Sequence, residues 1–174
     1  MFSIPYLVSF AFLFFTPKEE CLIISKQEFI IEGTTSIGKF KCVYDAREKD
    51  TLAGTSLAKG TEIKYLLPGK EFGCGNFILN GDFRKTIRVK EYPTTQIELL
   101  SIKKKGVNYS CDVLLTLAGK QKIYKHIELV KNSKTIKSSF LVNFSDFDLV
   151  TPKKMSGMIK VKNEVNLSII LHTE

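Results

Sequence analysis

Histidine is nearly absent from this chain of 174 residues, which has only two. None of its four cysteines stands in a C-x-x-C pair, so a zinc site has little to be built from. Five prolines and eleven glycines are too few for a collagen-like or disordered chain, and there is no low-complexity run or internal repeat. Also missing are a G-x-S-x-G elbow, an H-E-x-x-H pair and a phosphate-cradling glycine loop, and neither His126 nor His172 has a motif partner. The expectation is a protein that is not an enzyme, with no catalytic residue, metal or cofactor; both histidines are expected on outer strand faces.

What is there is the composition of one folded domain, 44% apolar and 25% charged. Phe2 to Phe15 is almost continuously apolar and uncharged. It falls short of the roughly 20 residues that span a bilayer and reads as the core of a signal peptide. Residues 1–21 are therefore expected to be a leader and residues 22–174 the domain, exported to a periplasm or secreted. No Lys or Arg precedes the run and no small-x-small site follows within ten residues, so the cleavage point stays open. Glu20 stands before Cys21, where attachment of a lipid anchor needs a small residue.

Beyond the leader the dominant hydrophobic period is two. Val165, Leu167, Ile169 and Leu171 alternate with polar or outward positions, as do Phe140, Val142 and Phe144, and Val107, Tyr109, Cys111, Val113, Leu115 and Leu117 form the longest series on one side. On that apolar face Cys111 reads as a small buried hydrophobe, since no cation or histidine is in register to lower its pKa. Further strands are readable at KQEFIIEG, GKFKCVYD, TEIKYLLPG, TQIELLSIKK, KIYKHIELVK and SGMIKVKN, with glycine and proline turns between them. No helical stretch demands a parallel crossover, so the strands are antiparallel and about eight in number, closing on themselves or stacking to avoid a long open edge. The fold class expected is all-β, with one short helix near residues 81–91. Asn80 or Asp82 would cap it, Phe83 and Ile87 would pack it against the barrel rim, and Pro93 would end it near Tyr92.

Cys42 lies in a strand-like run and Cys74 in a glycine-flanked turn, which makes them the disulfide candidates in an exported protein; two unrelated buried thiols are the alternative. Asp146 and Asp148 have no acid-base counterpart and read as a strand-end turn. Asn108, Asn143 and Asn166 each begin an N-x-S sequon, of consequence only in a host that glycosylates secreted proteins.

From about residue 25 to 172 the chain resembles the YceI-like family of lipid-binding barrels. The resemblance rests on IEGTTS, NGDFRKTIRVKEYPTTQIEL, LLTLAGKQK, FLVNFSDFDLVTP and GMIKVKNEVNLSIIL, in that order. It implies an eight-stranded antiparallel lipocalin-like barrel, usually exported, whose interior takes a long amphiphile such as a polyisoprenoid or fatty-acyl lipid. The helix would then be a plug that shapes the cavity mouth. Thr35-Ser36 and Cys42 to Tyr44 depart from a serine-histidine start and following histidine in many relatives, which leaves ligand identity open.

The expected lining combines Phe40, Tyr44, Tyr65, Phe140 and Phe144 with Ile97, Leu99, Val113, Leu115, Val142, Leu167 and Ile169. These would solvate an alkyl or prenyl chain at roughly 0.8 kcal/mol per buried methylene, or would interdigitate as a dry core. Small inward residues that leave a void are few, Ala118 and Cys111 being the clearest. Tyr44 and Tyr65 are the first choices for a ligand headgroup. The net charge of +8 is spread over turns and polar strand faces without interleaved aromatics, which argues against nucleic acid and suits contact with an anionic membrane. Oligomeric state is open, a homodimer included. The alternative function is a filled β domain that acts as a surface interaction module without a ligand.

Overall fold

A computed structural model describes residues 24–46, 62–154 and 158–173, with only the backbone of Lys153 and Lys154. The expected leader and Cys21 lie outside the described residues. In chain order the elements are β1 (Ile24–Thr35), β2 (Gly38–Ala46), β3 (Ile63–Pro68), α1 (Phe77–Thr86), β4 (Thr94–Lys105), β5 (Asn108–Leu117), β6 (Lys120–Lys131), β7 (Thr135–Asn143), a 3-10 turn (Phe144–Phe147), β8 (Lys153–Lys154) and β9 (Ile159–Thr173).

Eight strands follow one another around a curled antiparallel sheet in the order β2-β1-β9-β7-β6-β5-β4-β3, and β8 pairs with β9 off that path. The antiparallel strands are those that the alternating pattern predicts, and their arrangement is the lipocalin-like all-β barrel that the resemblance implies. The chain just past β3 meets β2 to close the seam: Val43 and Gly73 exchange backbone hydrogen bonds at 2.9 Å, and Cys42 is joined to Cys74 by a disulfide. Pairing is thin at one other place, where β6 and β7 share only the pairs Val130–Lys137 and Lys131–Ile136. The 3-10 turn lies against β6 there, with Asp146 in an ion pair to Lys122 and Asp148 in one to Lys120. The two aspartates are therefore strand-end turn residues, as the sequence suggests, and Asp148 adopts a positive φ of 51°.

Alternation puts one face of every strand inside. Phe29, Leu99, Val113, Ile136, Ile169 and Leu171 are fully buried, and the rings of Phe29 and Tyr65 meet across the interior at 5.2 Å between centroids. Each such side chain contributes about 1.5 to 3 kcal/mol on burial. Bulges at Ser101 (φ 52°) and His126 (φ 57°) shift the register of β4 and β6 and add twist. At the second, the freed His126 N–H donates to Asp112 Oδ1 at 2.9 Å. Val107 departs from its expected inward series: it stands in the β4–β5 turn, 75% exposed, because β5 begins only at Asn108.

The helix begins earlier than its spacing predicts. Asn76, not Asn80 or Asp82, caps it, its side chain accepting from the Leu79 N–H at 2.9 Å. Asn80 instead accepts from the Cys74 N–H and so braces the disulfide. The first-turn residues Phe77 and Ile78 are exposed, so they add nothing to the buried stripe by which a helix is recognised. The end also comes sooner, for Arg88 takes a left-handed φ of 58° and its N–H and that of Val89 donate to Lys85 and Arg84 carbonyls, which is a Schellman motif. Phe83 and Ile87 are buried as expected.

The turns fall into two sets. The β1–β2 and β5–β6 turns, α1, the 3-10 turn and β8 lie at one end of the barrel, and the β4–β5 and β6–β7 turns lie at the other. We call the first end the mouth.

Candidate functional site: the barrel mouth and interior

Two apolar spaces lie in series at the mouth. The inner one, about 40 Å³, is bounded by Ile31, Leu67, Phe72, Ile97, Leu115, Val142, Val165 and Leu167. The outer one, about 610 Å³, is lined by Ile37, Phe40, the Cys42–Cys74 disulfide, Ile78, Leu79, Ile159 and Val161. Phe83 of α1 and Phe144 of the 3-10 turn line both, so these two rings are the partition between them. The polar groups of the outer space are few: Thr35, Lys39, Asp82 and Thr86.

The helix is set over this end by two close backbone approaches. A Cβ on Gly69 would meet Val89 at 2.6 Å, and one on Gly119, itself at φ +79°, would meet the Tyr92 ring at 2.6 Å. Arg88 lies 5.0 Å over the same Tyr92 ring. The Tyr-Pro joint is thereby pinned to the β5–β6 turn, and the Pro93 carbonyl accepts from the Gly69 N–H at 2.9 Å. Inward, Phe83 packs on Phe72 at 5.2 Å and Phe72 on Tyr44 at 5.6 Å, an aromatic file leading down toward Phe29.

The residues named from the sequence fall at three depths. Phe40 is at the outer space, Phe144 at the partition, and Ile97, Leu115, Val142 and Leu167 at the inner space. Below them Leu99, Val113 and Ile169 are fully buried in close-packed core. Phe140 packs on Tyr124 at 4.8 Å beside the thin β6–β7 seam. The two tyrosines chosen for a headgroup do not line the mouth: Tyr44 is within the aromatic file, and Tyr65 lies deep, its hydroxyl buried without a hydrogen-bond partner among the described residues. Burial first, and the neighbouring Cys111 second, push the Tyr65 phenol well above its ordinary pKa. The Cys111 thiol is free and buried, and burial together with the charge of Asp112 pushes its pKa up to about 12. It is inert at neutral pH. Ala118, expected to leave a void, is spent in the β5–β6 turn at φ 50°.

Spacing alone missed Ile37, Ile78, Leu79, Ile159 and Val161. The available signal was apolar side chains in or beside glycine turns, in SIGKF, GNFIL and GMIKV, where solvation favours polar ones. Of the histidines, His126 is exposed at its bulge and the His172 ring lies 3.2 Å from Glu28 Oε1. No cluster of His, Cys, Asp and Glu among the described residues could hold a metal ion.

No family model matches the sequence, and no curated protein is significantly similar to it. Solved structures do match in three dimensions. Burkholderia cenocepacia BcnA is 14% identical, with a TM-score of 0.61 over 85% of this chain and 96% of that one. A polyisoprenoid binding domain from Saccharophagus degradans, implicated in plant cell wall breakdown, is 11% identical, with a TM-score of 0.56 over 88% of this chain and 97% of that one. A Campylobacter jejuni YceI protein superposes more loosely, with a TM-score of 0.49 at 13% identity. At these identities the likeness is one of fold: the chain has the YceI-like fold, an antiparallel lipocalin-like barrel with one helix at its mouth.

Proposed function

We propose that this protein binds and carries a long-chain hydrophobic ligand of the isoprenoid or fatty-acyl type, outside the cytoplasm. The observation that carries the reading is the outer space of about 610 Å³, apolar on nearly all sides and parted by only two phenyl rings from an inner apolar space. Its size falls within the range of small-molecule sites. A chain lying beneath α1 would replace water on Phe40, Ile78, Leu79 and Val161, while its polar end reached Lys39, Thr86 or Asp82. The fold shared with a polyisoprenoid binding domain supports this ligand class. The Cys42–Cys74 disulfide supports an oxidising compartment, and no helix among the described residues is long and apolar enough to cross a membrane.

The small inner space favours the second reading, a packed β domain that acts through its surface. Organic extraction of the protein purified from a lipid-rich host, followed by mass spectrometry beside an unrelated barrel, separates the two. A long-chain species at stoichiometric amount is expected. An extract equal to the control, even after prenyl and acyl lipids are offered, would leave the surface module.

A further inference from the structure

The rim of the outer space carries exposed apolar side chains. Three pieces of chain form it: the β1–β2 turn, the first turn of α1 and the start of β9. They present Ile37, Phe77, Ile78 and Met158 at 74, 82, 55 and 67% exposure. The first and third are fastened together, since Ser36 donates from its N–H to the Lys160 carbonyl at 3.0 Å and from its hydroxyl to the Met158 carbonyl at 2.8 Å. Ile78 and Ile37 line the same space, which makes the helix the opposite lip.

Behind this tip the exposed charges are mainly lysines. Lys39, Lys41, Lys160 and Lys162 are exposed, each beside an inward residue of β2 or β9. No Asp or Glu occurs between Gly33 and Tyr44 or between Leu149 and Asn163, and the first turn of α1 has none. Acids are present beside the lysines: Asp82 lines the outer space, Glu32 lies 3.9 Å from Lys41, and Glu164 shares a surface cavity with Glu32, Lys39 and Lys41.

We propose that the mouth docks on an anionic lipid bilayer, with Ile37, Phe77, Ile78 and Met158 entering the headgroup boundary and the lysines meeting the anionic headgroups. An apolar tip backed by cations matches the layering of such a surface, apolar inside and negative outside. A second copy of the chain would satisfy the apolar residues, but it would bring an identical belt of lysines against this one. Docked in this way, the space opens toward the leaflet and an amphiphile enters without crossing water. The proposal extends the carrier reading and is tested apart from it.

The test is co-sedimentation of the whole chain with phosphatidylcholine vesicles and with vesicles that also contain phosphatidylglycerol. Binding is expected to the anionic vesicles and to weaken with salt. The double variant Ile37→Asp/Phe77→Asp, and separately Lys39→Glu/Lys160→Glu, should each lower the partition coefficient by about tenfold or more. Val107→Asp is the control, because Val107 is equally exposed and follows Lys103, Lys104 and Lys105 at the opposite end; it should leave binding unchanged. Docking at the mouth is overturned if anionic vesicles bind no better than neutral ones, if the rim variants bind like the parent, or if Val107→Asp loses as much. It is also overturned if sedimentation shows the rim variants splitting a dimer, which would make the rim an interface between copies. Lipid in the organic extract without vesicle binding would sink the docking alone, and vesicle binding with an empty extract would sink the carrier reading alone.

Discussion

Phe83 and Phe144 have a consequence that can be measured, because each touches both apolar spaces. Replacing Phe83 by Ala removes the partition and joins them. The variant is expected to retain longer acyl or prenyl chains than the parent while losing about 3 kcal/mol of stability. Extraction with chain-length analysis, set beside a urea unfolding curve, reads both. An unchanged length profile would mean that the two spaces do not act as one site. Cys111 yields a second prediction, through its pKa of about 12. The folded protein keeps a proton that the unfolded chain releases above about pH 8.5. Its stabilising contribution is therefore complete below that pH and is lost as the pH climbs toward about 12. Alkaline unfolding of Cys111→Ala should show a shallower pH dependence across this window, and the native thiol should resist alkylation at pH 8 until denaturant is added. Prompt alkylation of the native protein would contradict the burial.

Among the elements, α1 is held by its cap and by what lies beneath its C-terminal turn. Asn76→Ala removes the acceptor for the Leu79 N–H and should cost about 1 kcal/mol. Gly119→Ala faces two penalties, a positive φ and the Tyr92 ring at 2.6 Å, and should cost about 1 to 2 kcal/mol. Both are read by denaturant midpoints, and hydrogen exchange should show added opening confined to the helix and the Tyr92 turn. Exchange loosened evenly across the barrel strands would show that the helix is not a separately docked piece. The sequence announced this element by Phe83 and Ile87, whose burial follows from their spacing, and by Pro93. It did not announce the start, because Asn76, Asn80 and Asp82 are chemically equivalent as caps. The choice among them was made by the Cys74 N–H, which draws Asn80 to a different partner.

For the molecule as a whole, the Cys42–Cys74 bridge joins the two ends of the strand path and lines the outer space. With a sequence separation of 32, the chain-entropy relation assigns it roughly 3 to 4 kcal/mol. Reduction, or the Cys42→Ser/Cys74→Ser double variant, should lower the denaturant midpoint accordingly and weaken ligand binding at the mouth. A midpoint that moves without any change in binding would show that the seam need not be closed to form the site. Most of the barrel follows from period-two alternation and glycine turns, since inward and outward positions are a local property of each strand. The inward placement of Leu99, Val113, Leu167 and Ile169 was legible for that reason. Whether such residues surround a void or fill it was not, because volume is a sum over strands far apart in the chain. Assembly placed Phe29 against Tyr65 and left the larger space at the mouth. The rim likewise depends on bringing Ile37, Ile78 and Met158 together from three separate stretches of chain, a juxtaposition that no local pattern specifies.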